Sequence, residues 1–532
     1  MRMLRLTNLS VPLDYTEETL FAAVLKKCGL QPDQLLSLHI IRRSVDARDK
    51  SNVHFVLSLH LKVRNEPLLL KKCRFLSPAV SPAPADPVAA RFSRPPLVVG
   101  AGPSGLFAAL TLARAGANPV LVERGHPVEK RIPDVEKMSA EGVLDPESNV
   151  QFGEGGAGAF SDGKLTCGIK SPWLHTVLET FVSHGAPEEI LFDAMPHIGT
   201  DRLRGVVASI RSEITALGGK VLFETKLEKL LIRGSHLEGA VLSRAGESHE
   251  FLSDTVLLCI GHSARDTVNM LFSQGVRMSQ KPFAMGVRIE HPRLFIDQAQ
   301  YGAFAGHPAL GAASYKLVCH TPDSRGVYTF CMCPGGYVIA AASQPGGIVV
   351  NGMSFHARNA ENSNSALLVG ICTDDFGDDH PLAGMILQRQ IEKAAYLAGN
   401  SSFRAPCQRV EDFFMDRATR SFGEVQPSYR PGITPADLRA VFPSFITEDL
   451  KKGIRAMNSQ LPGFAMPDAV LTAPETRSSS PVRILRNETG ESESIAGLFP
   501  VGEGAGYAGG IVSAAIDGII AARKAMEKSC LL

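Results

Sequence analysis

The chain has 532 residues, enough for two or three domains, and 44% of its residues are hydrophobic, which allows large packed cores. Its 55 lysines and arginines balance 54 aspartates and glutamates, so it lacks the basic excess of proteins that bind nucleic acids or anionic membranes. No apolar run approaches the roughly eighteen residues of a membrane span, and the ten cysteines follow no disulfide framework. These features, with acidic residues soon after the start, predict a cytoplasmic protein without a leader peptide.

Residues 1–76 predict a small α/β module. A strand is expected at 3–6 and a helix at 16–27, which Cys28 and Gly29 terminate. Residues 40–45 and 53–63 alternate apolar and polar side chains, as half-buried strands do. The Pro/Ala-rich stretch that follows, over 77–95, predicts a linker and is the clearest domain boundary in the sequence.

A strand at 97–99 then runs into a glycine loop and a helix, the pattern of a dinucleotide-binding βαβ unit. In such a loop Gly100 makes the tight turn, Gly102 admits the pyrophosphate and Gly105 lets the helix pack on the strand. A glycine turn without a ligand is the alternative. Because strand, spacing and helix agree, the sequence favours a nucleotide site, although this loop alone does not separate FAD from NAD.

The rest of the βαβ unit supplies further candidate ligands of the nucleotide. Pro103 and Ser104 open the helix, whose N-terminus carries a partial positive charge toward the phosphates. The next strand ends in Glu123, eighteen residues beyond Gly105, where a carboxylate accepts hydrogen bonds from ribose hydroxyls. Arg124 follows directly and is predicted to contact the cofactor.

A second glycine loop spans residues 153–158. Its glycines allow the backbone to approach a planar ligand, so Gly153, Glu154, Gly155 and Gly156 are predicted to line the flavin ring or its phosphates. A flexible surface loop is the alternative. Lys164 closes the segment, either near the flavin N1–C2=O edge as a candidate catalytic residue or as a solvated lysine.

The remaining pattern predicts a nucleotide domain interrupted by a second domain. The first part of the nucleotide domain covers 96–278 and includes a buried strand at 255–260, followed by Gly261, that returns the chain to the cofactor. Short Gly- and Val-rich strands over 279–465 predict a mostly antiparallel α+β substrate domain. Residues 466–532 are expected to complete the nucleotide domain. The predicted fold class is therefore α/β, with a three-layer Rossmann-like FAD-binding domain.

A third motif, near the C-terminus, tips the interpretation toward FAD. Gly502 and Glu503 end a strand, and a carboxylate there accepts hydrogen bonds from the ribityl hydroxyls. Gly509, Gly510 and Ile511 then open a helix whose N-terminus would stabilise negative charge on the reduced ring. The alternative is a buried helix of small residues with no ligand.

Other reactive residue types give weaker signals. Arg477 is a candidate catalytic residue that would bind an anionic substrate group, although arginines also pin loops. Cys331 and Cys333 lie two apart on a predicted strand and share a face, which suits thiol redox chemistry or metal binding. With Cys319 they make no zinc spacing, so buried, inert thiols are favoured and no metal is expected.

Long, specific strings make the chain resemble the glutathione-reductase-like FAD superfamily, and within it a family of FAD-dependent dehydrogenases of bacteria and plastids. The resemblance covers nearly the whole chain. Its strings are residues 152–164, 330–336, 351–354, 427–432, 475–481 and 502–510. It implies FAD as the cofactor and an oxidoreductase fold, and it does not supply a substrate.

The sequence therefore predicts an FAD-dependent oxidoreductase that transfers hydride between a small organic substrate and flavin N5. The external electron donor or acceptor stays open between NAD(P)H, a quinone and ferredoxin; no second dinucleotide loop argues for a stable NAD(P)H domain. One alternative is a flavin monooxygenase, which the positions of Asp162-Gly163 and Asp517-Gly518 do not favour. Another is a non-catalytic or RNA-modification-type flavoprotein whose N-terminal module docks a partner.

Overall fold

The computed structural model describes residues 3–64, 66–79, 90–321 and 325–530, so residues 80–89 of the predicted linker lie outside the described residues. The elements of the N-terminal module are β1 (Leu4–Val11), α1 (Glu17–Cys28), β2 (Leu35–Asp46), β3 (His54–Val63), α2 (Glu66–Lys72) and β4 (Leu76–Pro78). The strands form an antiparallel sheet in the order β2-β3-β1-β4. Thr16 caps the start of α1 and Gly29 ends it in the left-handed conformation, which confirms the predicted helix.

The module is attached to the rest of the protein through its edge strand. Arg43 of β2 exchanges backbone hydrogen bonds with a neighbouring loop: its N–H donates to Phe192 O at 2.7 Å, and its carbonyl accepts from Ala194 N at 2.8 Å. The Arg43 guanidinium also donates to both carboxylate oxygens of Asp193, at 2.8 and 3.1 Å. The β2 edge is therefore covered by the following domain.

The first part of the nucleotide domain follows. Its elements are β5 (Leu97–Val99), α3 (Pro103–Arg114), β6 (Val120–Val122), α4 (Val128–Glu141), α5 (Leu174–Ser183), α6 (Thr200–Ala216), β7 (Lys220–Leu222), β8 (Thr225–Arg233), β9 (His236–Arg244), β10 (Glu247–Leu252), β11 (Val256–Leu258) and α7 (Arg265–Ser273). Strands β8, β9 and β10 pair as an antiparallel sheet of their own.

The second domain begins after one short linking strand, β12 (Met278–Gln280). Its elements are β13 (Phe283–Pro292), α8 (Arg293–Tyr301), β14 (Val318–His320), β15 (Gly326–Cys333), β16 (Tyr337–Ala340), β17 (Val350–Met353), β18 (Asn362–Ile371), α9 (Ala383–Ala398), β19 (Ala405–Arg409), α10 (Val410–Phe414), β20 (Ile433–Pro435), α11 (Ser444–Gln460) and β21 (Val470–Glu475). Its main sheet has the order β14-β15-β18-β13-β21-β19-β20 and is antiparallel apart from the β19–β20 pair. We call this part the cap domain.

The position of β21 corrects the expected boundary at residue 466. This strand pairs with β13 and β19 inside the cap sheet, so the chain leaves the cap after Glu475 rather than before it. The reason is that a short apolar run such as Val470–Glu475 fits a buried strand of either sheet. Only the pairing partners decide to which sheet it belongs.

The chain then returns to the nucleotide domain through β22 (Val482–Ile484), β23 (Leu498–Pro500) and α12 (Ile511–Ser529). Strand β23 pairs in parallel with β11, which gives a parallel sheet in the order β23-β11-β5-β6-β7. Alternate residues of these strands face opposite sides: Val98 and Leu257 pack toward α3, α6 and α12, whereas Leu97 and Leu258 pack toward β8 and β9. The predicted three-layer, Rossmann-like α/β fold is confirmed. No helix in the described ranges is long and apolar enough to cross a membrane.

Candidate functional site

A cavity of about 430 Å³ opens where the parallel strands β5, β6 and β11 end at their carboxyl edge. Ligands of open α/β sheets bind at this edge, because the loops that leave the strands diverge there. The cap domain supplies the opposite wall through residues 314–316, 329–332 and 475–478. The cavity therefore lies between the two domains.

The first glycine loop forms one end of this cavity. Gly100, Gly102, Pro103 and Ser104 line it, and the N-terminus of α3 begins there, so its free N–H groups are available to an anion. Gly105 lies outside the lining. A Cβ at Gly105 would lie 1.8 Å from Gly100 O, so this glycine serves the close packing of helix on strand.

Glu123 joins the two glycine loops. Its buried carboxylate accepts backbone hydrogen bonds from Ala101 N at 2.8 Å, Gly125 N at 3.0 Å and Gly153 N at 2.9 Å. The residue lines the cavity, and a carboxylate oxygen has more than one acceptor position. The structure thus adds a structural role for Glu123, while its contact with a ribose stays a prediction.

Arg124 also lines the cavity, but its charge is already compensated. The guanidinium forms ion pairs with Glu147 at 2.7 Å and Asp266 at 2.9 Å, and it lies 4.2 Å from the centre of the Phe152 ring. This arrangement presents the flat face of an arginine–phenylalanine stack and leaves little free charge for a phosphate.

The second glycine loop is held from behind by Arg131, a residue that belongs to none of the predicted motifs. This fully buried guanidinium donates to the carbonyls of Asn149 at 2.8 Å, Val150 at 2.8 Å and Glu154 at 2.6 Å. Burial lowers its pKa to about 9. The flexible surface loop considered above is therefore not what the fold contains.

Two residues of this loop do not reach the cavity, which corrects their expected contact with the cofactor. Gly153 and Gly156 line it, whereas Glu154 and Gly155 do not. The Glu154 carboxylate instead accepts hydrogen bonds from Val128 N at 2.8 Å and Arg211 at 2.9 Å, and burial raises its pKa to about 7. A run of glycines does not reveal from sequence which way the intervening side chain turns.

The C-terminal motif reaches the cavity from the other end. Gly261, Glu503, Gly509, Gly510 and Ile511 line it. Glu503 is half-buried, and desolvation raises its pKa to about 7 against the opposing charge of Lys281. The N-terminus of α12 begins beside it.

Gly502 acts behind the cavity wall. Its N–H donates to Asp517 at 2.7 Å, and a Cβ there would lie 2.8 Å from Ser104 Oγ. Asp517 sits within α12 and also pairs with Arg486 at 2.8 Å, so it ties the last helix to the end of β23. No sequence pattern predicts this role, because an acidic residue inside a helix is usually solvated.

Lys164 projects into the cavity from the segment behind the second glycine loop. Its Nζ lies 3.2 Å from Asp162 Oδ2 and, within the described chain, is buried without a hydrogen-bond partner. Burial would raise the pKa of Asp162, but Lys164 and Arg358 hold it well below its usual range. Lys164 is thus a positioned ammonium group and not a solvated lysine.

Arg477 lines the cavity and also makes hydrogen bonds that hold this part of the chain in place. Its guanidinium donates to both oxygens of Glu392, at 3.0 and 3.1 Å, and to Ser343 Oγ at 2.5 Å. Arg265 binds the same carboxylate at 2.8 Å. Two buried arginines share one glutamate, so this wall carries net positive charge although each arginine is well anchored.

The two cysteines of β15 differ from each other, which corrects the expectation of two buried, inert thiols. Cys333 is buried, but Cys331 is half-buried and lines the cavity. A hydrogen bond from the Cys333 thiol, with the nearby charges of Lys164 and Arg288, lowers the pKa of Cys331 to about 5. The same pairing, together with burial, raises the pKa of Cys333.

A possible cation-binding group lies away from the cavity. Ligand atoms of His126, Asp134 and Asp145 lie within 4.8 Å of one another. His126 Nδ1 already contacts Asp134 at 2.7 Å, and Asp145 accepts from the backbone N–H groups of Glu147 and Ser148. These contacts account for the group without an ion, and the expectation of no metal stays a prediction.

The cavity fits a dinucleotide with a flavin. The two glycine loops approach each other closely: a Cβ at Gly156 would lie 3.1 Å from Gly102 Cα, so only bare backbone faces the space between them. The N-termini of α3 and α12 both open onto the cavity, suited to phosphates and to an electron-rich ring. Carboxylates at Glu123 and Glu503 suit sugar and ribityl hydroxyls. Lys164, whose Nζ is ion-paired with Asp162 but makes no hydrogen bond in the described chain, suits an acceptor atom.

Known protein families match three parts of the chain. Residues 282–478 match the family described as FAD-dependent protein, C-terminal domain-like, and residues 95–131 match an FAD binding domain. Residues 3–62 match a domain family of unknown function. FAD is thus the cofactor of this protein, as the C-terminal motif predicts.

A whole-length relative is an uncharacterised protein of Clostridium beijerinckii, 45% identical over 534 residues and matched over 99% of both chains. Solved structures with a similar fold include a geranylgeranyl bacteriochlorophyll reductase-like protein of Thermoplasma acidophilum, at 12% identity and a TM-score of 0.35 over 83% of both chains. Another is a glycerol-3-phosphate dehydrogenase of Bacillus halodurans in complex with FAD, at 12% identity and a TM-score of 0.33 over 82% of this chain and 64% of that one.

Proposed function

Because the chain belongs to the family of FAD-dependent proteins that includes its Clostridium beijerinckii relative, we propose that it is an oxidoreductase that transfers hydride between a small organic substrate and flavin N5. The observation that carries this proposal is the cavity between the parallel sheet and the cap domain. A flavin seated on the strand ends would face the cap wall, which leaves room for a substrate between them.

The chain's own residues would hold and orient the cofactor. The N-terminus of α3 and the first glycine loop bind the pyrophosphate, and Glu123 binds the adenosine ribose. Glu503 accepts from the ribityl chain, and the N-terminus of α12 faces the ring. Bound FAD supplies the two-electron chemistry, while the protein supplies position and a partly dry site.

Lys164 and Arg477 are charged groups at the cavity, Lys164 from the nucleotide domain and Arg477 from the cap wall. Lys164 would donate a hydrogen bond to an acceptor on the flavin or the substrate, because its Nζ is buried near Asp162 without another acceptor in the described structure. Arg477 gives that wall a positive potential that favours an anionic substrate group. Both roles suit a substrate that carries a carboxylate or a polarised carbonyl.

The wider setting is part of the same proposal. We place the protein in the glutathione-reductase-like superfamily, within the dehydrogenase family of bacteria and plastids that its long motifs resemble. A reducing cytoplasm is supported by ten cysteines that are all free. The substrate would be a small molecule, and the external electron partner NAD(P)H, a quinone or ferredoxin.

The first experiment is spectroscopic. Purified protein should be yellow and should release FAD on denaturation. Anaerobic mixing with NADH, NADPH, reduced ferredoxin, quinols and a panel of small organic acids should bleach the flavin with at least one donor. A colourless protein that binds NAD instead, or a bound flavin that no donor reduces and no acceptor reoxidises, would overturn the proposal.

A further inference from the structure

The cap wall of the cavity contains an irregular strand. Strand β15 pairs with β18, but its register shifts between Phe330 and Cys333. Within that bulge Cys331 has a φ of 42°, a left-handed conformation that residues with a Cβ seldom adopt. Bulges and such conformations concentrate at functional sites, where they direct a side chain toward a ligand.

The bulge holds Cys331 and Cys333 close to each other. The thiol of Cys333 donates a hydrogen bond to the Cys331 carbonyl oxygen, at a sulfur–oxygen distance of 3.3 Å. Cys333 is fully buried behind the wall, whereas Cys331 is half-buried at the cavity surface. A disulfide needs the Cα atoms of its two cysteines within about 7 Å, which two residues that are two apart in a bent strand satisfy.

The surrounding charges favour a thiolate at Cys331. The positive charges of Lys164 and Arg288 stabilise a negative charge on this sulfur. Lys164 Nζ has no hydrogen-bond partner in the described chain, and Arg288 donates to the Cys331 carbonyl at 2.9 Å. The Cys333 thiol, with a raised pKa, keeps its proton. A thiolate at the cavity beside a buried thiol is the arrangement that thiol–disulfide chemistry requires.

We propose that Cys331 and Cys333 form a redox-active pair that exchanges two electrons with the bound flavin. In the oxidative direction the Cys331 thiolate and the Cys333 sulfur form an S–S bond as the Cys333 S–H bond breaks. The two electrons and the proton together convert FAD to its reduced anion, FADH⁻. In the reverse direction FADH⁻ reduces the disulfide. The proposal rests on FAD in the cavity and not on the identity of the organic substrate.

An anaerobic reductive titration of the holoprotein tests this pair. The protein is first oxidised with diamide, desalted and then titrated with dithionite while the flavin absorbance is followed. Wild type should take up about four electrons per FAD, because disulfide and flavin are both reduced. Cys331→Ser and Cys333→Ser should each take up about two. Cys319→Ser, a half-buried thiol on the neighbouring strand β14, should match wild type.

Mass spectrometry on unmutated protein gives a second measurement that does not depend on variants. The peptide with both cysteines should lose about 2 Da after oxidation and should resist alkylation until the flavin is reduced. Uptake of about two electrons by wild type, with both thiols alkylated equally before and after reduction, would overturn the inference. Flavin content is read from the same spectra: a colourless protein overturns the proposed function as well, whereas bound FAD with unreactive thiols overturns this inference alone.

Discussion

At the residue scale, the same few side chains both build the cavity and face its ligand. Glu123 holds the two glycine loops together through three backbone N–H groups, and Lys164 is held by Asp162. Such groups are confined by their neighbours before a ligand arrives, so little conformational entropy is lost on binding. Substitutions there will change both binding and local order.

Glu503 offers the cleanest residue-scale test of the flavin site. Glu503→Ala removes a half-buried acceptor from the cavity wall, so we expect FAD to bind about 10–150-fold more weakly, the loss of a hydrogen bond to a charged group. The FAD-to-protein absorbance ratio and a fluorescence titration of stripped protein measure this. Glu488→Gln, on an exposed loop, serves as the control. Full retention of FAD by the Glu503 variant would mean that the ribityl role is misassigned.

At the element scale, the cofactor end of the domain depends on two helices in very close contact. Helices α3 and α12 approach so closely that a Cβ at Gly518 would lie 2.1 Å from Ser104 O. Asp517, beside that contact, also holds the end of β23 through Gly502 N. The spacing of these elements sets the width of the cavity near the first glycine loop.

Gly518→Ala should therefore force α12 away from α3. We expect destabilisation by about 2–4 kcal/mol, as in other overpacked cores, together with weaker FAD binding. Thermal unfolding and flavin content measure the two effects. Gly205→Ala, in helix α6 with open space around it, should be neutral or stabilising by up to about 1 kcal/mol. Equal unfolding temperatures and equal flavin contents of the two variants would contradict the close packing of α12 on α3.

Element-scale prediction from sequence succeeded where local chemistry decides the structure. Helix α1 was predicted because Thr16 and Gly29 mark its ends within a few residues. The boundary at 466 was wrong because β21 is stabilised by β13 and β19, which lie far away in sequence. Caps are encoded next to the element that they end, whereas strand partners are not.

At the scale of the whole molecule, the N-terminal module has its own hydrophobic core and meets the rest through β2. The residues found to line the cavity lie at or beyond Val99, as far as the described structure extends. The module thus borders the flavin domain without forming the site, which keeps open a role in docking a partner.

Deletion of residues 1–85 should consequently leave FAD content unchanged. The melting temperature should fall, because the loop at 192–194 and the apolar side chains Phe304 and Leu310 lose their cover. Flavin absorbance per protein and thermal unfolding measure these outcomes, with Arg43→Ala in the full-length chain as a milder control. Loss of FAD from the truncated protein, under conditions where circular dichroism shows it folded, would contradict this division of roles.

The sequence by itself determined the cofactor and the fold class. The patterns that predict them are local: the glycines at 100, 102 and 105, the acidic residue at 123 and the Gly502–Glu503 pair. Their spacing along the chain suffices to predict a βαβ unit and a flavin site. These motifs can be recognised without the tertiary structure because each one reflects the chemistry of a single loop.

The tertiary structure alone decided which side chains reach that cofactor. Arg131 and Asp517 support the site from behind, Glu154 turns away, and Cys331 turns in because of a bulge in a strand more than two hundred residues from the first glycine loop. The physical reason is that side-chain direction and the pKa of a thiol depend on neighbours brought together by folding. Sequence periodicity predicts which residues lie on the same face of a strand or helix, but not which residues of other elements pack against that face.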